Sequence, residues 1–378
     1  MKLLITQHNI NERGGAEKVI LKIAQKYDAT IYTLGYNPKG TFEEFKDIDI
    51  RIFRKSKTVS SIFPKRVSNA LHYGYSFYNL KVKEDYDVIN AHMSPSEWVR
   101  NRNPRVLWYC HTPPRELYDD AVANIRRKSV QEKVLYSSFA RVYSSIERRI
   151  LNNVEAIATN SDNTKKRIRS ALHKDSVVIN PGIDFRRFTD RGNGRYFIYP
   201  SRFAEQKRQE YAIEAFSMFQ RNRRFKDYKL VLAGSLSSRY ADFSKYYERL
   251  RSMKARNVVF RTNPTDSELA DLYSRSTGVL FTAVNEDYGI VPLEAMASRK
   301  PVISVNEGGP RETIVDGKTG FLVGSAREMS ERMRYIAENG SIAAEMGRNG
   351  RKRVERNYSW NSFFKKFDSL ARKVSKSG

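Results

Sequence analysis

A single cysteine, Cys110, stands in 378 residues. That scarcity excludes an internal disulfide and a cysteine-rich zinc site, and agrees with a reducing cytosol. Apolar runs are short as well, and none reaches the ~20 residues that a membrane-spanning helix needs. The opening Met1-Lys2-Leu3-Leu4-Ile5-Thr6 turns polar too soon for a signal peptide and reads as a first strand. No repeat of solenoid length and no low-complexity tract is visible. Acids are under-represented, with 42 Asp and Glu against 68 Lys and Arg, a net charge of +26. What is present is a globular composition. Hydrophobic residues at 40 % and aromatics at 12 % exclude a disordered chain, and the length suffices for two domains with full cores.

Such a charge points to nucleic acid, an anionic membrane surface or phosphorylated substrates. Between Arg51 and Lys83 there are eight Lys or Arg, no acid, and the aromatics Phe53, Phe63, Tyr73, Tyr75, Phe77 and Tyr78. Cations mixed with rings suit the lipid headgroup zone. The same mixture suits stacking on single-stranded nucleic acid, or forms a solvated basic face. A peripheral attachment of a cytoplasmic protein to anionic membrane through residues 51–83 is the expectation carried forward.

Short apolar runs alternate with helical patterns, which predicts an α/β protein built on mainly parallel, doubly wound sheets. In the first half the expected strands are 2–8, 30–34, 87–92, 105–110 and 156–160, with a helix from Ala16 to Tyr27. Beyond Pro181-Gly182 and the polar stretch Asp190–Arg195 the alternation restarts, with strands expected at 196–199, 229–233, 257–260, 278–282, 301–305 and 320–323. Helical patterns cover Gln209–Arg221, Ser267–Ser274 and Ala326–Asn339. The linker is expected near 184–194, giving domains 1–184 and 195–358 and a tail, 359–378. That tail carries Trp360, Phe363, Phe364 and Phe367 at helical spacing, a face that must be buried somewhere.

Residues 285–297, NEDYGIVPLEAMA, are the most informative segment. Gly289 frees the backbone to approach a ligand, and Pro292 suits the first turn of a helix expected from Ile290 to about Arg299. The open N–H groups and positive dipole end of that helix suit an anion such as a diphosphate. Glu286 and Glu294 then stand ready to accept hydrogen bonds from sugar and ribose hydroxyls. The plainer alternative makes Glu294 a helix-dipole acid and Glu286 a solvated loop acid. After the expected strand 196–199, Arg202 and Lys207 together suit a diphosphate, the one as a fork and the other as a point charge. Gly14-Gly15 opens the first helix, either as an anion-facing turn or simply a tight one. It does not form G-x-G-x-x-G, which argues against NAD. His111 follows a strand and is held by Pro113-Pro114, ahead of Arg115 and Tyr118. A hydrogen-bonded structural histidine is the alternative there.

The spacing Glu286-x7-Glu294, the run from Arg202 to Lys207, and YCHTPPRELYD over 109–119 occur in an order that resembles the retaining nucleotide-sugar glycosyltransferases of family four, the group 1 type. The segment around His111 is similar to the mannosyltransferase branch. Asn160-Ser161, Pro181-Gly182-Ile183-Asp184 and Gly308–Glu312 also match, and the glycine that leads the Arg–Lys run is Ser201 here.

The resemblance implies a GT-B fold, two Rossmann-like domains facing across a cleft with the C-terminal helix crossing back to the first. It implies a donor site of Gly15, Arg202, Lys207, Glu286, Tyr288, Gly289, Ile290 and Glu294. It implies an acceptor side of Gly14, His111, Arg115 and Tyr118, with His111, Arg202, Lys207 and Glu286 as the catalytic set. It further implies hexose transfer, with GDP-mannose as preferred donor and a glycan or lipid-linked acceptor. No cofactor or metal is expected, and no Asp-x-Asp triplet ends an expected strand. A phosphorylase or epimerase of the same architecture, or a nucleic-acid-binding protein, are the rival readings. Nucleic acid is disfavoured because the paired acids would face it.

Overall fold

A computed structural model describes residues 1–53, 65–118, 129–236, 241–253 and 255–377, and within it the chain divides into two compact units. The first contains Met1–Asn180 together with Phe364–Gly378, the second Pro181–Phe363.

Seven parallel strands form the sheet of the first unit, in the order β3-β2-β1-β4-β5-β6-β7. They are β1 (Leu3–Gln7), β2 (Thr30–Thr33), β3 (Ile50–Ile52), β4 (Val88–His92), β5 (Val106–Cys110), β6 (Ala156–Thr159) and β7 (Val177–Val178). Every residue of β1, β4 and β5 is buried. Burial on both faces is why these strands read as largely apolar segments without strict alternation, with Thr6 and Gln7 in β1 and Asn90 and His92 in β4 as buried polar exceptions. The helices are α1 (Gly15–Tyr27), α2 (Lys65–Asn79), α3 (Val130–Leu151) and α4 (Asp162–Leu172). Strands β3 and β7, three and two residues long at the sheet edges, carry too few residues to show a period and escape sequence reading.

The second sheet is parallel too, in the order β10-β9-β8-β11-β12-β13. Its strands are β8 (Tyr196–Pro200), β9 (Lys229–Gly234), β10 (Val258–Thr262), β11 (Gly278–Phe281), β12 (Val302–Val305) and β13 (Gly320–Val323). Helices α5 (Gln209–Phe219), α6 (Ala241–Ser252), α7 (Asp266–Arg275), α8 (Ile290–Ala297), α9 (Ala326–Glu338) and α10 (Gly340–Asn357) accompany it. The core on one face is aromatic, with Phe197, Phe216 and Phe219 fully buried.

The final helix α11 (Trp360–Ser375) buries the apolar face anticipated for the tail. From Phe364 onward it belongs to the first unit, where Tyr27 lies 6.4 Å from the Phe364 ring and 5.9 Å from that of Phe367. The Tyr27 hydroxyl donates to Asp368.

Two expectations shift. The stretch 184–194 is bound into the second unit rather than hanging between units. Lys300 reaches Asp190 at 2.7 Å, Arg187 meets Asp266 at 3.2 Å and Arg191 meets Asp271 at 3.0 Å. The first unit accordingly ends at Asn180 instead of 184.

The aromatic part of the proposed membrane patch changes more. Phe77 is fully buried, with Phe53, Tyr73 and Tyr78 packed against the same core cluster. Only Tyr75, 49 % exposed, is open among the described aromatics of the stretch. Arg51 is paired with Glu84 and, at 3.1 Å, with Asp49. Tyr73 and Phe77, four positions apart on α2, lie on one helical face, and burying that face lowers the free energy more than exposing it. Residues 54–64, with Phe63 and three of the seven remaining cations, Arg54, Lys55 and Lys57, lie outside the described residues.

Candidate functional site

In a doubly wound sheet the loops at the carboxyl ends of the strands splay apart where the strand order reverses, and ligands bind there. In the second unit that point lies between neighbouring β8 and β11. The loop after β8 carries Arg202, then a short turn, Glu205–Lys207. The loop after β11 runs from Thr282 to Gly289 and feeds α8.

The two loops are stitched together. Thr282 Oγ1 shares its hydrogen between the carbonyls of Lys207 at 3.0 Å and Arg208 at 2.7 Å. Arg208 Nε donates to Thr282 O at 2.8 Å, and Val284 N to Gln206 O at 2.9 Å. A third loop, after β12, closes on them. Glu307 takes Arg208 at 3.0 Å, and Gly309 N donates to Glu286 O at 2.7 Å. Glycine is required at 309, because a Cβ there would sit 2.5 Å from Tyr288 O.

This stitching brings Lys207 Nζ to 2.5 Å from Glu286 Oε2. Both side chains are mostly sheltered, Lys207 at 15 % and Glu286 at 26 % exposure. Arg202, from the same loop, is exposed. Gly289 takes φ 86, a left-handed turn that lets α8 begin at Ile290 immediately after the loop. The first N–H groups of α8 have no partner within the helix, so this end favours negative charge.

Glu294 keeps different company. It is half-buried, accepts from the Tyr273 hydroxyl at 2.8 Å, and is held up at a pKa of about 7 by burial, which outweighs Tyr273 and Arg187. Tyr288 turns inward, 5 % exposed, and its hydroxyl donates to Pro181 O at 2.7 Å. Its side chain is thus occupied with folding, leaving only its backbone for a ligand. Arg208, Glu307 and Tyr273 were not singled out from sequence. An arginine in a basic chain and an acid in a loop carry no spacing signal.

In the first unit the switch point lies between β1 and β4. Gly14 caps α1 and Gly15 is its first residue, with Glu17 Oε2 2.4 Å from where a Gly14 Cβ would stand. His111, 7 % exposed, directly follows β5 and forms a buried ring pair with His92, Nε2 to Nδ1 at 2.9 Å. Burial depresses its pKa to about 3 and pulls His92 well down too. His92 was missed, although a histidine at the close of an expected strand was the available signal.

Arg115 opens the four-residue helix Arg115–Tyr118 and is half-buried. The hydroxyl of Tyr118 donates to Glu147, so it sits in a polar cluster rather than standing open. In that cluster Glu97 and Glu147 are both fully buried. Ser94 Oγ lies 2.9 Å from a carboxyl oxygen of each. Burial raises both carboxyl pKa values. Among the described residues no three His, Cys, Asp or Glu converge as a metal site, and no helix is long and apolar enough to cross a membrane.

The model of Glycosyltransferase Family 4 matches residues 13–187 and that of glycosyl transferases group 1 matches residues 183–353. The alpha-1,3/1,6-mannosyltransferase ALG2 of Mus musculus is 28 % identical, over 93 % of this chain and 91 % of its own. Its counterpart from Dictyostelium discoideum is 24 % identical over 96 % of each chain. The solved sucrose-phosphate synthase of Thermosynechococcus elongatus shares 18 % identity and a TM-score of 0.78 over the full length of both chains.

Proposed function

This chain belongs to glycosyltransferase family four and has the GT-B fold, two parallel-sheet α/β domains, and on that premise we propose that it transfers mannose from GDP-mannose to a glycan carried on a lipid. The observation that supports a donor site in the second unit is the Lys207–Glu286 pair at the switch point beside the α8 N-terminus. A cation, an acid and open N–H groups at one strand edge are the groups a nucleoside diphosphate-sugar needs. The mannose reading is supported by similarity to the ALG2 enzymes, whose name states alpha-1,3/1,6-mannosyl transfer, and the lipid-linked acceptor follows from the membrane attachment expected of residues 51–83.

In this reading the bond from the anomeric carbon to the diphosphate breaks, and the diphosphate leaves with the electron pair. The acceptor hydroxyl forms the new bond and gives its proton to an oxygen of the departing diphosphate, and the anomeric configuration is retained. Arg202 and Lys207 stabilise the charge that grows on the leaving group, the largest kind of contribution such a site offers. Glu286 accepts from hydroxyls of the hexose and Glu294 from those of the ribose, with the N–H groups at Gly289 and Ile290 toward the phosphates. Gly15 is assigned to the donor phosphates as well. His111 is assigned to the transferred hexose. Gly14, Arg115 and Tyr118 border the acceptor, Tyr118 with its ring only. Two loop cations supply the charge that a metal would otherwise bring, so the reaction runs without one.

A thermal-shift screen of GDP-mannose, UDP-glucose, UDP-GlcNAc and the free diphosphates tests the donor. Binding stabilises the folded state by mass action, by about 2.7 kcal/mol at a hundredfold excess over Kd. GDP-mannose and GDP should shift the melt most. A larger shift with a uridine nucleotide overturns the donor assignment. Incorporation of mannose into a lipid-linked oligosaccharide, undiminished by a chelator, tests the rest.

A further inference from the structure

We propose that Asn90 and His92 are positioning residues that set the tautomer of His111, so that His111 presents an unprotonated Nδ1 to the sugar. Asn90 is fully buried on β4, and its Nδ2 donates to Leu107 O at 3.0 Å. A carbonyl oxygen only accepts, so the NH2 end of the amide must point there. The other end, Oδ1, therefore faces His92 Nε2 at 2.8 Å. An amide oxygen also only accepts, so His92 carries its hydrogen on Nε2.

Both rings are buried, and among the described residues neither has a carboxylate hydrogen-bond partner that would sustain a positive charge. A neutral imidazole holds one hydrogen, which leaves His92 Nδ1 as an acceptor. The atom facing it, 2.9 Å away, is His111 Nε2, which must then be the donor. His111, neutral in turn, is left with its lone pair on Nδ1. Two rings and one amide thus carry a fixed polarity from the Leu107 carbonyl inside the sheet to the end of β5.

The framework around the chain is rigid. Residues His92 and His111 lie 5.2 Å apart with planes 28° off parallel, and Tyr109 flanks both, 5.6 Å from His92 and 4.9 Å from His111. Asn160 Nδ2 donates to His111 O at 2.8 Å, and Ser96 Oγ donates to His92 O. Ring rotation is therefore restricted, and tautomer choice is the remaining freedom. An acceptor nitrogen receives a hydrogen bond from a sugar hydroxyl, and also suits a cationic anomeric centre better than an N–H would. This role rests on His111 acting at the transferred hexose; the tautomer itself does not.

The test is nitrogen NMR on the full chain with labelled histidine, beside kcat and KM for GDP-mannose. In the unaltered protein the His111 Nδ1 resonance should have the shift of an unprotonated nitrogen from about pH 6 to about pH 8. A protonated Nδ1 overturns the proposal without any variant. His92→Phe removes the acceptor and should release His111 into a tautomer mixture. Its kcat should fall roughly tenfold to a hundredfold, as for other residues that orient a working histidine, with KM little changed. His92→Asn sets an oxygen where Nδ1 stood and should restore the signature and part of the rate. If His92→Phe leaves the His111 tautomer untouched, the proposal fails. If the tautomer shifts but kcat does not, the relay exists and the assignment of His111 to the sugar is what fails.

Discussion

Lys207 and Glu286 form an ion pair at 2.5 Å although 79 residues separate them in the chain. A diphosphate arriving at Lys207 would compete with Glu286 for the ammonium, and the released carboxylate would be free to accept from sugar hydroxyls. Glu286→Gln should lower kcat on the order of 10²–10³-fold with little change in melting temperature, because the group supports charge development rather than the core. Lys207→Ala should lower both kcat and affinity for free diphosphate. The double variant should lose much less than the product of the two, since partners in one pair are not additive. Near-normal turnover in Glu286→Gln would move the donor site elsewhere.

Glu294 gives a pH dependence with a defined sign. Its pKa of about 7 exceeds the ordinary 4.5 because burial disfavours the charge. A carboxyl raised in the folded state stabilises the fold below its unfolded pKa, and that contribution is lost as pH climbs through about 7. Ribose binding moves the other way, because the ionised form is the better acceptor. Affinity for the nucleotide-sugar, whose diphosphate does not titrate in this range, should rise from about pH 6 to about pH 8 by at most roughly tenfold. Calorimetry should show this rise in the unaltered chain and a flat profile in Glu294→Gln. A rise that survives in the variant assigns the titration to another group.

The buried acids Glu97 and Glu147 give a second pH effect, confined to the first unit. Both carboxyls are pushed up, first by burial, and Glu97 further by the charge of Glu147. The stability they contribute is present below about pH 4.5 and is lost as pH rises through their folded values. Glu97→Gln keeps a donor toward Glu147 while removing one titration. Its melting temperature should gain on that of the unaltered chain as pH rises from about 5 to about 8. A parallel pH dependence in both proteins would show that the pair does not titrate with folding.

Attachment to anionic membrane now rests on the cations of the 51–83 stretch, since its rings mostly serve the core. Each basic residue near an anionic surface contributes about 1 kcal/mol, so a handful is enough for reversible binding. Sedimentation with anionic vesicles should decline as salt rises. It should disappear when Arg54, Lys55, Lys57, Lys65 and Arg66 are changed to Ser. Equal binding to neutral vesicles, or none to either, would remove this part of the proposal.

Much of the architecture is legible in the sequence. Strands buried on both faces are largely apolar, so β5 and β8, with no charged or amide side chain, announce themselves most plainly. The start of α8 at Ile290 was legible because Gly289 and Pro292 mark a helix entry by backbone chemistry alone. The aromatics of residues 51–83 misled, because composition reports that rings are present and not which way they face. The same holds for Tyr118 and Tyr288, whose residue type suits a ligand but whose hydroxyls are spent inside the fold.

Local chemistry is written in the sequence: which segments become strands, where a left-handed glycine permits a helix to start, and which loops carry acids and cations. Pairing is not, because it depends on which strands become neighbours. The sheet order sets β11 beside β8 and β5 beside β4, although 77 and 13 residues separate those strands in the chain. Only that adjacency turns Lys207 toward Glu286 and His111 toward His92. Hydrogen bonds of this kind act over about 3 Å, and a linear sequence carries no distances.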